Sequence, residues 1–332
     1  MMALGIRRPT GRRAVTAAVA AAVVLGLLLW WMVPTGGKTP EGRATFATGV
    51  PSGVYERYGA LLRDRLRQDL PRVELELEPS QGSVQNIERL VSGEADFTIA
   101  QADAVAAYLE DGGKDADRLR ACARLYDDYV QLVVRSGSPV REAADLNGLR
   151  VGVGERRSGV RPVAERLLRA AGLDAERDVT PVYEGIDRMP ALLEDGSLDA
   201  FFWTGGLPTS AIQELAERSD IRLVELGGLV PALHDQEPQA RHYRAAVMPA
   251  DAYPAVQRGE AVETVAVANL LVTTDRADAA LTEGLTRSLI SSRDEIGRRV
   301  HAAQRVDLRT AIYTDPLPLH EGARRYYRAV KP

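Results

Sequence analysis

The stretch RATFATGVPSGVYERYG, from Arg43 to Gly59, decides how the whole chain is read. Its first half is a short apolar run that ends at Thr48 and Gly49, and from Val54 to Leu70 the apolar residues recur at helical spacing. A strand that passes through a glycine-rich turn straight into a helix opens a βα unit. The same alternation continues downstream. Val73 to Leu77 reads as a strand, a helix begins at Ser83 with Ser83 as its expected cap, Asp96 to Ala100 reads as a strand, and Ala102 to Asp111 as a helix stopped by Gly112 and Gly113. Strands and helices in this order assemble as a mostly parallel sheet covered by helices, an α/β fold.

A second α/β unit is expected from about 130 to 225. YVQLVVRSG from Tyr129 is an apolar strand, RVGVG leads into a helix from Ser158 toward Ala171, and LDAFFWT follows the short helix Met189 to Glu194. IRLVELG from Ile221 reads as a return strand, ETVAVANLLVTT as a pair of strands, and Asp275 to Val300 and Glu321 to Ala329 as helices. The expected division is therefore 44–129, 130–225 and a return over 226–332. A chain that crosses twice between two bodies brings distant stretches into one cleft, where strand ends and helix amino termini meet ligands.

Composition narrows the function. The 332 residues carry 42 Lys plus Arg against 46 Asp plus Glu, with 45% hydrophobic and 27% charged residues. This is globular composition, which excludes extensive disorder, and a net charge of -4 disfavours a nucleic-acid partner. The lone Cys122 offers no internal disulfide and, within ACARLY, reads as a small buried hydrophobe. Residues 1–37 form an expected export segment. Arg7, Arg8, Arg12 and Arg13 precede an uncharged run from Ala14 to Gly37, long enough for the ~20 residues of a membrane-spanning helix, with Trp30 and Trp31 near its end. An uncleaved anchor to the membrane and a cleaved signal peptide both place the body outside the cytoplasm.

Four constellations stand where strands give way to helices. In the first, Thr48 supplies a hydroxyl beside Gly49 and Gly53, with Tyr55 following. The second is SQGSVQN, where Ser83 and Asn86 share a helix start, with Gln101 at the end of the next strand. The third is GERRSGV, where Arg157 could grip a carboxylate and Ser158 its remaining lone pairs. In the fourth, FFWTGG, Trp203 offers an apolar wall and Thr204 a polar group. Each also serves plain structure as a tight turn or helix cap.

Enzymatic signatures are weak. The glycine turn lacks the Lys-Ser/Thr ending of a phosphate-binding loop, no nucleophile elbow is present, and His234, His242, His301 and His320 show no metal-ligand spacing. His242 in HYRAA reads as a helix-surface residue, His320 as a stiffener of the terminal helix, and Asp127-Asp128 as a solvated acidic turn. No catalytic residue, metal or cofactor is expected. An extracellular hydrolase or transferase and a membrane-anchored ligand sensor remain as alternatives.

FATGVPSGVYERYG, EPSQGSVQNIERLVSGEADFTIAQAD, LNGLRVGVGERRSGVRPVAERLLRAAG and GSLDAFFWTGGLPTSAI, in that order and followed by LHEGARRYYRA, resemble the TAXI group of TRAP-transporter solute receptors over Thr45 to Ala329. The resemblance implies a two-lobed periplasmic-binding-protein type II-like fold with a ligand cleft between the lobes. It implies capture of a small organic ligand, carboxylate or amino-acid-like, for TRAP transporter membrane subunits. On the matching segments it points to Thr48, Tyr55, Ser83, Asn86, Gln101, Arg157, Ser158, Trp203 and Thr204 as binding residues. The chain departs from the group's pattern at Gln81, where glycine is favoured, and at Arg156-Arg157, where smaller polar residues are common.

Overall fold

The computed structural model describes residues 40–300 and 306–330. The export segment expected over 1–37 lies outside them. Among the described residues no helix is long and apolar enough to cross a membrane. The first part of the chain runs β1 (Gly42–Ala47), α1 (Val54–Asp69), β2 (Val73–Glu78), α2 (Ser83–Ser92), β3 (Phe97–Gln101), α3 (Ala102–Glu110) and β4 (Leu119–Arg135). The middle runs β5 (Arg150–Gly152), α4 (Val160–Ala170), β6 (Thr180–Val182), α5 (Met189–Glu194), β7 (Ala200–Gly205), α6 (Ser210–Arg218), β8 (Ile221–Val224), α7 (Val230–His234) and β9 (Tyr243–Met248). The last part runs α8 (Pro254–Gln257), β10 (Val262–Thr274), α9 (Ala279–Ser291), α10 (Arg293–Gly297) and α11 (Glu321–Val330).

Local sequence explains these boundaries. Helix α1 buries Tyr58, Gly59, Leu62 and Leu66, a stripe of the spacing that keeps one helical face on a sheet. Helix α2 stops at Gly93, whose positive φ makes the left-handed cap that a side chain would resist. Asp278 caps α9 by accepting from the Leu281 amide at 2.8 Å.

The strands form one sheet in the order β2-β1-β3-β10-β4-β7-β5-β6, with β8 added on β4 and β9 on β10. β1 is parallel to β2 and β3, and β5 is parallel to β6 and β7. Between these two parallel groups lie the long antiparallel strands β4 and β10. At a rise of ~3.3 Å per residue β4 spans about 55 Å, enough to run through two bodies. Its Cys122–Tyr126 end packs with Phe46, Tyr58, Leu62 and Phe97, whereas its Tyr129–Val134 end packs with Val163, Leu167, Phe201 and Phe202. β10 divides in the same way, with Val265, Ala266 and Val267 in the second core and Leu270, Leu271 and Val272 against the first group of strands. The second core runs from Tyr129 to Val267 and so includes side chains on both sides of residue 225.

Several elements differ from the sequence reading. β4 begins ten residues before Tyr129. Asp127 and Asp128 are buried inside this strand, not in a solvated turn. ETVAVANLLVTT is a single strand, β10. The expected helix from Asp275 to Val300 is interrupted at Ser292. Tyr243 opens a strand, and His242 closes a short 3-10 turn with its side chain buried, so it is not on a helix surface. Gly82, not Ser83, occupies the cap position of α2. Cys122 is fully buried, and burial pushes its thiol pKa up. His320 accepts the Gly322 amide through Nδ1 at 3.1 Å, which fixes the start of α11.

Candidate ligand-binding site

Where the two cores meet, the neighbouring strands β3, β10, β4 and β7 present Gln101, Asn269, Asp128 and Thr204 as a polar row. The pairings that place them are Gln101 opposite Asn269, Asp128 opposite Val267, and Thr204 opposite Val130. The β4–β10 register shifts between Ala268 and Leu270, so Asn269 sits at a bulge, a device that re-aims side chains. Gln101 Nε2 donates to Asp128 Oδ2 at 3.0 Å, and the Gln101 amide donates to Ser83 Oγ at 3.1 Å. The Tyr55 hydroxyl donates to Asn269 Oδ1 and lies 3.3 Å from Ser83 Oγ.

This row is saturated on one side and bare on the other. Among the described residues Gln101 Oε1 and Thr204 Oγ1 are buried without a hydrogen-bond partner, while Asp128 Oδ1 and Asn269 Nδ2 have no well-formed bond although the Asn269 side chain stands close enough to the Asp128 carboxylate to favour its ionised form. Each such group costs about 1–3 kcal/mol, so their concentration in one place opposes stability. Burial raises the Asp128 pKa from its ordinary 3.8 to about 7, against the lowering effect of Asn269 and Gln101. Burial and the nearby Asp128 charge likewise hold the Tyr55 hydroxyl well above the usual tyrosine range, so it remains protonated. The neighbouring Asp127 is neutralised by Arg124 and Arg244.

Above the row is a cavity of about 50 Å³. Helices α1, α2 and α4 all begin on it, through Gly53 and Val54, Gly82 and Ser83, and Gly159 and Val160. The cap residues Gly53, Gly82 and Gly159 offer no side-chain acceptor, although the Arg161 amide of α4 donates to Ser158 Oγ at 3.4 Å and the Gln85 amide of α2 to the Arg157 carbonyl, and α2 and α4 carry no acid in the first turn. Their leading amides lack intrahelical acceptors and sit at the positive end of the helix dipole, which favours an anion. Glu56 in the first turn of α1 is taken up by the Thr48 hydroxyl. The indole of Trp203 forms a wall, held by its Nε1 donating to Thr209 Oγ1 at 3.0 Å. Among the described residues no Lys or Arg lines the cavity, and the titratable side chains that do are Tyr55 and Asp128.

Tyr55, Ser83, Gln101, Ser158, Trp203 and Thr204 therefore line one cavity. Thr48 and Asn86 lie behind its wall. Asn86 Nδ2 donates to the carbonyls of Thr48 (2.7 Å) and Ile99 (3.0 Å), while its Oδ1 accepts from Ser80 Oγ at 2.6 Å, so its amide clamps backbone. Arg157 is at the rim and outside the lining. Its guanidinium pairs with Glu88 (Nε to Oε2, 2.7 Å), its amide donates to Gln81 Oε1 at 3.0 Å, and its carbonyl accepts from the Gln85 amide at 3.1 Å. Gln81 and Arg157, two positions where the chain departs from the TAXI-like pattern, are thus hydrogen-bonded to each other. Ser158 Oγ donates to the Glu155 carbonyl at 2.8 Å and holds the turn before α4.

Gly159 closes the cavity against the floor. A Cβ there would lie 2.2 Å from Gln101 Oε1 and 2.8 Å from Ser83 Oγ. Away from the cavity the same two bodies are joined by a buried cluster in which the Tyr243 hydroxyl donates to Asp103 Oδ2 at 2.6 Å, and Arg166 Nη1 donates to that hydroxyl at 3.0 Å. Among the described residues no group of His, Cys, Asp or Glu is placed to hold a metal ion. Asp128 and Asn269 are the site residues that sequence reasoning missed. The available signal was an acidic pair followed at once by YVQLVV, too apolar a context for a turn.

Two solved structures share this architecture. An ancestral arginine-binding protein bound to arginine superposes with a TM-score of 0.51 and 15% identity, covering 78% of this chain and 98% of its own. A putative L-cystine ABC transporter protein from Listeria monocytogenes gives 0.50 and 14%, with 80% and 98% covered. The fold is accordingly that of the periplasmic-binding-protein type II class, with the cavity between its two lobes. The model of the NMT1-like family matches residues 46–330, nearly the whole described body, and the chain belongs to the NMT1-like family.

Proposed function

We propose that this chain is an extracytoplasmic solute receptor, and not an enzyme, which captures a small organic carboxylate or amino-acid-like ligand. The observation that carries this reading is the cavity built jointly by both bodies, with helix amino termini on its walls and unpartnered polar atoms on its floor. Such a site can hold and orient a small polar molecule, while its two titratable side chains do not form a nucleophile and base. The similar structures include one bound to arginine, which supports a ligand of amino-acid size. The TAXI-like segments favour TRAP-type membrane subunits as the partner. Residues 1–37 would export the body and, if retained, anchor it.

In this reading the ligand contacts are Tyr55, Ser83, Gln101, Ser158, Trp203 and Thr204, with Thr48 and Asn86 bracing the wall and Arg157 closing the rim. The expected division into 44–129 with a 226–332 return and 130–225 is revised here to one lobe around the first core and one around the core that runs from Tyr129 to Val267, and the two close because the ligand binds both at once and so favours the closed arrangement. The Arg157–Glu88 pair and the Gln85 amide to Arg157 carbonyl bond then form between them. Native mass spectrometry of the gently purified chain, compared with its denatured mass, tests this. A noncovalent small-molecule mass is expected. An apoprotein mass together with no thermal shift from a panel of carboxylates and amino acids would overturn it.

A further inference from the structure

We infer that Asp103, Tyr243 and Arg166 form the pivot on which the two lobes turn, a contact between them that stays made while the mouth of the cavity opens and closes. This rests on the receptor reading and concerns its motion and not its ligand, since none of the three lines the cavity. The sheet pairings place the pivot. Tyr243 opens β9 opposite Val267 of β10, and Gln101 ends β3 opposite Asn269 of the same strand. β4 occupies the other edge of β10 over both stretches, so β3 and β9 lie end to end along one edge, with a break between them at Ala268. β3 packs into the first core and β9 into the second. The break is therefore the boundary of the lobes, and it coincides with the β10 bulge between Ala268 and Leu270.

Side chains bridge the break. Asp103 stands two residues beyond Gln101, on α3, and its Oδ2 accepts from the Tyr243 hydroxyl at 2.6 Å. From α4, Arg166 Nη1 donates to that hydroxyl at 3.0 Å and reaches Asp103 Oδ2 at 3.4 Å. Arg166 is itself fixed within the second lobe, where its Nε donates to Glu237 Oε2 and its carbonyl accepts from Gln236 Nε2, both at 3.1 Å. The side chains of Asp103 and Arg166 are 0% and 8% exposed, whereas those of Glu88 and Arg157, which pair across the mouth, are 41% and 48% exposed. The other bond across the mouth, from the Ser52 hydroxyl to Asp187, is exposed as well. Water readily replaces such surface bonds, but parting the lobes at Asp103 would break a buried charge pair and its shared hydroxyl together. Position points the same way. β4 and β10 run through both lobes and can bend but not stretch, so the axis of opening passes through them. A rotation moves atoms in proportion to their distance from its axis, and the cluster sits beside β10 at its bulge, so a swing that parts the mouth displaces it little.

The test is hydrogen–deuterium exchange of the full chain, read by mass spectrometry over 81–88 and 155–162, the segments that carry the helix starts on the cavity. Two cross-links are compared, with Cys122 buried and out of reach of reagents. One joins the lobes at the mouth by a disulfide, Ser52→Cys with Asp187→Cys, whose side chains are hydrogen-bonded in the native protein. The other joins them beside the pivot by a short bis-maleimide, Glu110→Cys with Arg241→Cys, where Arg241 Nη1 lies 3.5 Å from Glu110 Oε1. The mouth cross-link is expected to slow exchange about tenfold or more, and the pivot cross-link to change it by less than about twofold. Tyr243→Phe keeps the ring and removes the bridging hydroxyl. It should speed exchange over 81–88 and 155–162 by about three- to tenfold while 130–134, inside the second core, keeps its wild-type rate. A pivot cross-link that slows exchange as much as the mouth cross-link overturns the pivot, because the contact then parts on opening, and it leaves the receptor reading intact. An equal rise over 130–134 in Tyr243→Phe overturns it as well, by showing that the hydroxyl only stabilises the fold. If neither cross-link has an effect the lobes do not move, which removes pivot and closure together and leaves the receptor reading to the co-purified mass.

Discussion

Replacing Asp128 by Asn should stabilise the ligand-free protein, in a manner set by pH. A carboxyl raised from 3.8 to about 7 costs ~4 kcal/mol when it is ionised in the folded chain at pH 8. Because the folded-state pKa lies above the unfolded one, the folded chain keeps a proton that the unfolded chain has lost. This contribution is fully present below about pH 4 and disappears as pH rises through about 7. Asparagine has nearly the same shape, can accept the Gln101 Nε2 bond through its own oxygen, and never ionises. The difference in unfolding free energy between variant and wild type should therefore be small at pH 4 and grow to about 2–4 kcal/mol in the variant's favour at pH 8. Urea unfolding followed by tryptophan fluorescence at pH 4, 6 and 8 measures it. A difference that does not vary with pH, or a variant less stable at pH 8, would refute the argument that Asp128 is an uncompensated buried acid.

Three further outcomes follow from the geometry. Gly159→Ala should weaken ligand binding at least tenfold in calorimetry and lower the melting temperature of the free protein, because its methyl would lie 2.2 Å from Gln101 Oε1 and 2.8 Å from Ser83 Oγ although the φ of -73° itself tolerates alanine. Arg166→Met would leave Asp103 buried beside Tyr243 without its cation, and urea unfolding should show a loss of about 3–5 kcal/mol. Arg157→Ala should lower affinity by less than about fivefold, since its pair with Glu88 is roughly half exposed and such pairs are worth about 0–1 kcal/mol. A hundredfold loss would mean that Arg157 reaches the ligand.

The βα alternation was legible because each strand is a short apolar run ended by glycine or a polar turn, and RATFATGVPSGVYERYG shows this locally. The centre of the sheet was not legible for the opposite reason. LRACARLYDD looks unlike a strand because four of its ten residues are charged, but Asp127 is neutralised by Arg244, which is far away in the chain. A local window cannot supply that partner. ETVAVANLLVTT read as a pair of strands, whereas it is one continuous strand in which Asn269 pairs with Gln101 at a bulge. The strand-to-helix turns did point to the cavity, since helix starts are written in glycines and small polar residues. Asn86 and Arg157 have the right chemistry for a ligand, but their hydrogen bonds go to backbone and to Glu88, and only the assembled fold reveals such prior commitments.

The two central strands also set the order in which the molecule can be built. β10 lies between β3 and β4, and its pairing with β4 brings Thr274 opposite Leu119. Until the ribosome has passed residue 274, the first body lacks its inner neighbour and the second lacks Val265 to Val267. Contacts so distant along the chain close slowly, so the partly made protein stays uncommitted for most of its synthesis. A chain truncated before residue 262 would lose β10, the strand that pairs with both β3 and β4, and with it Asn269.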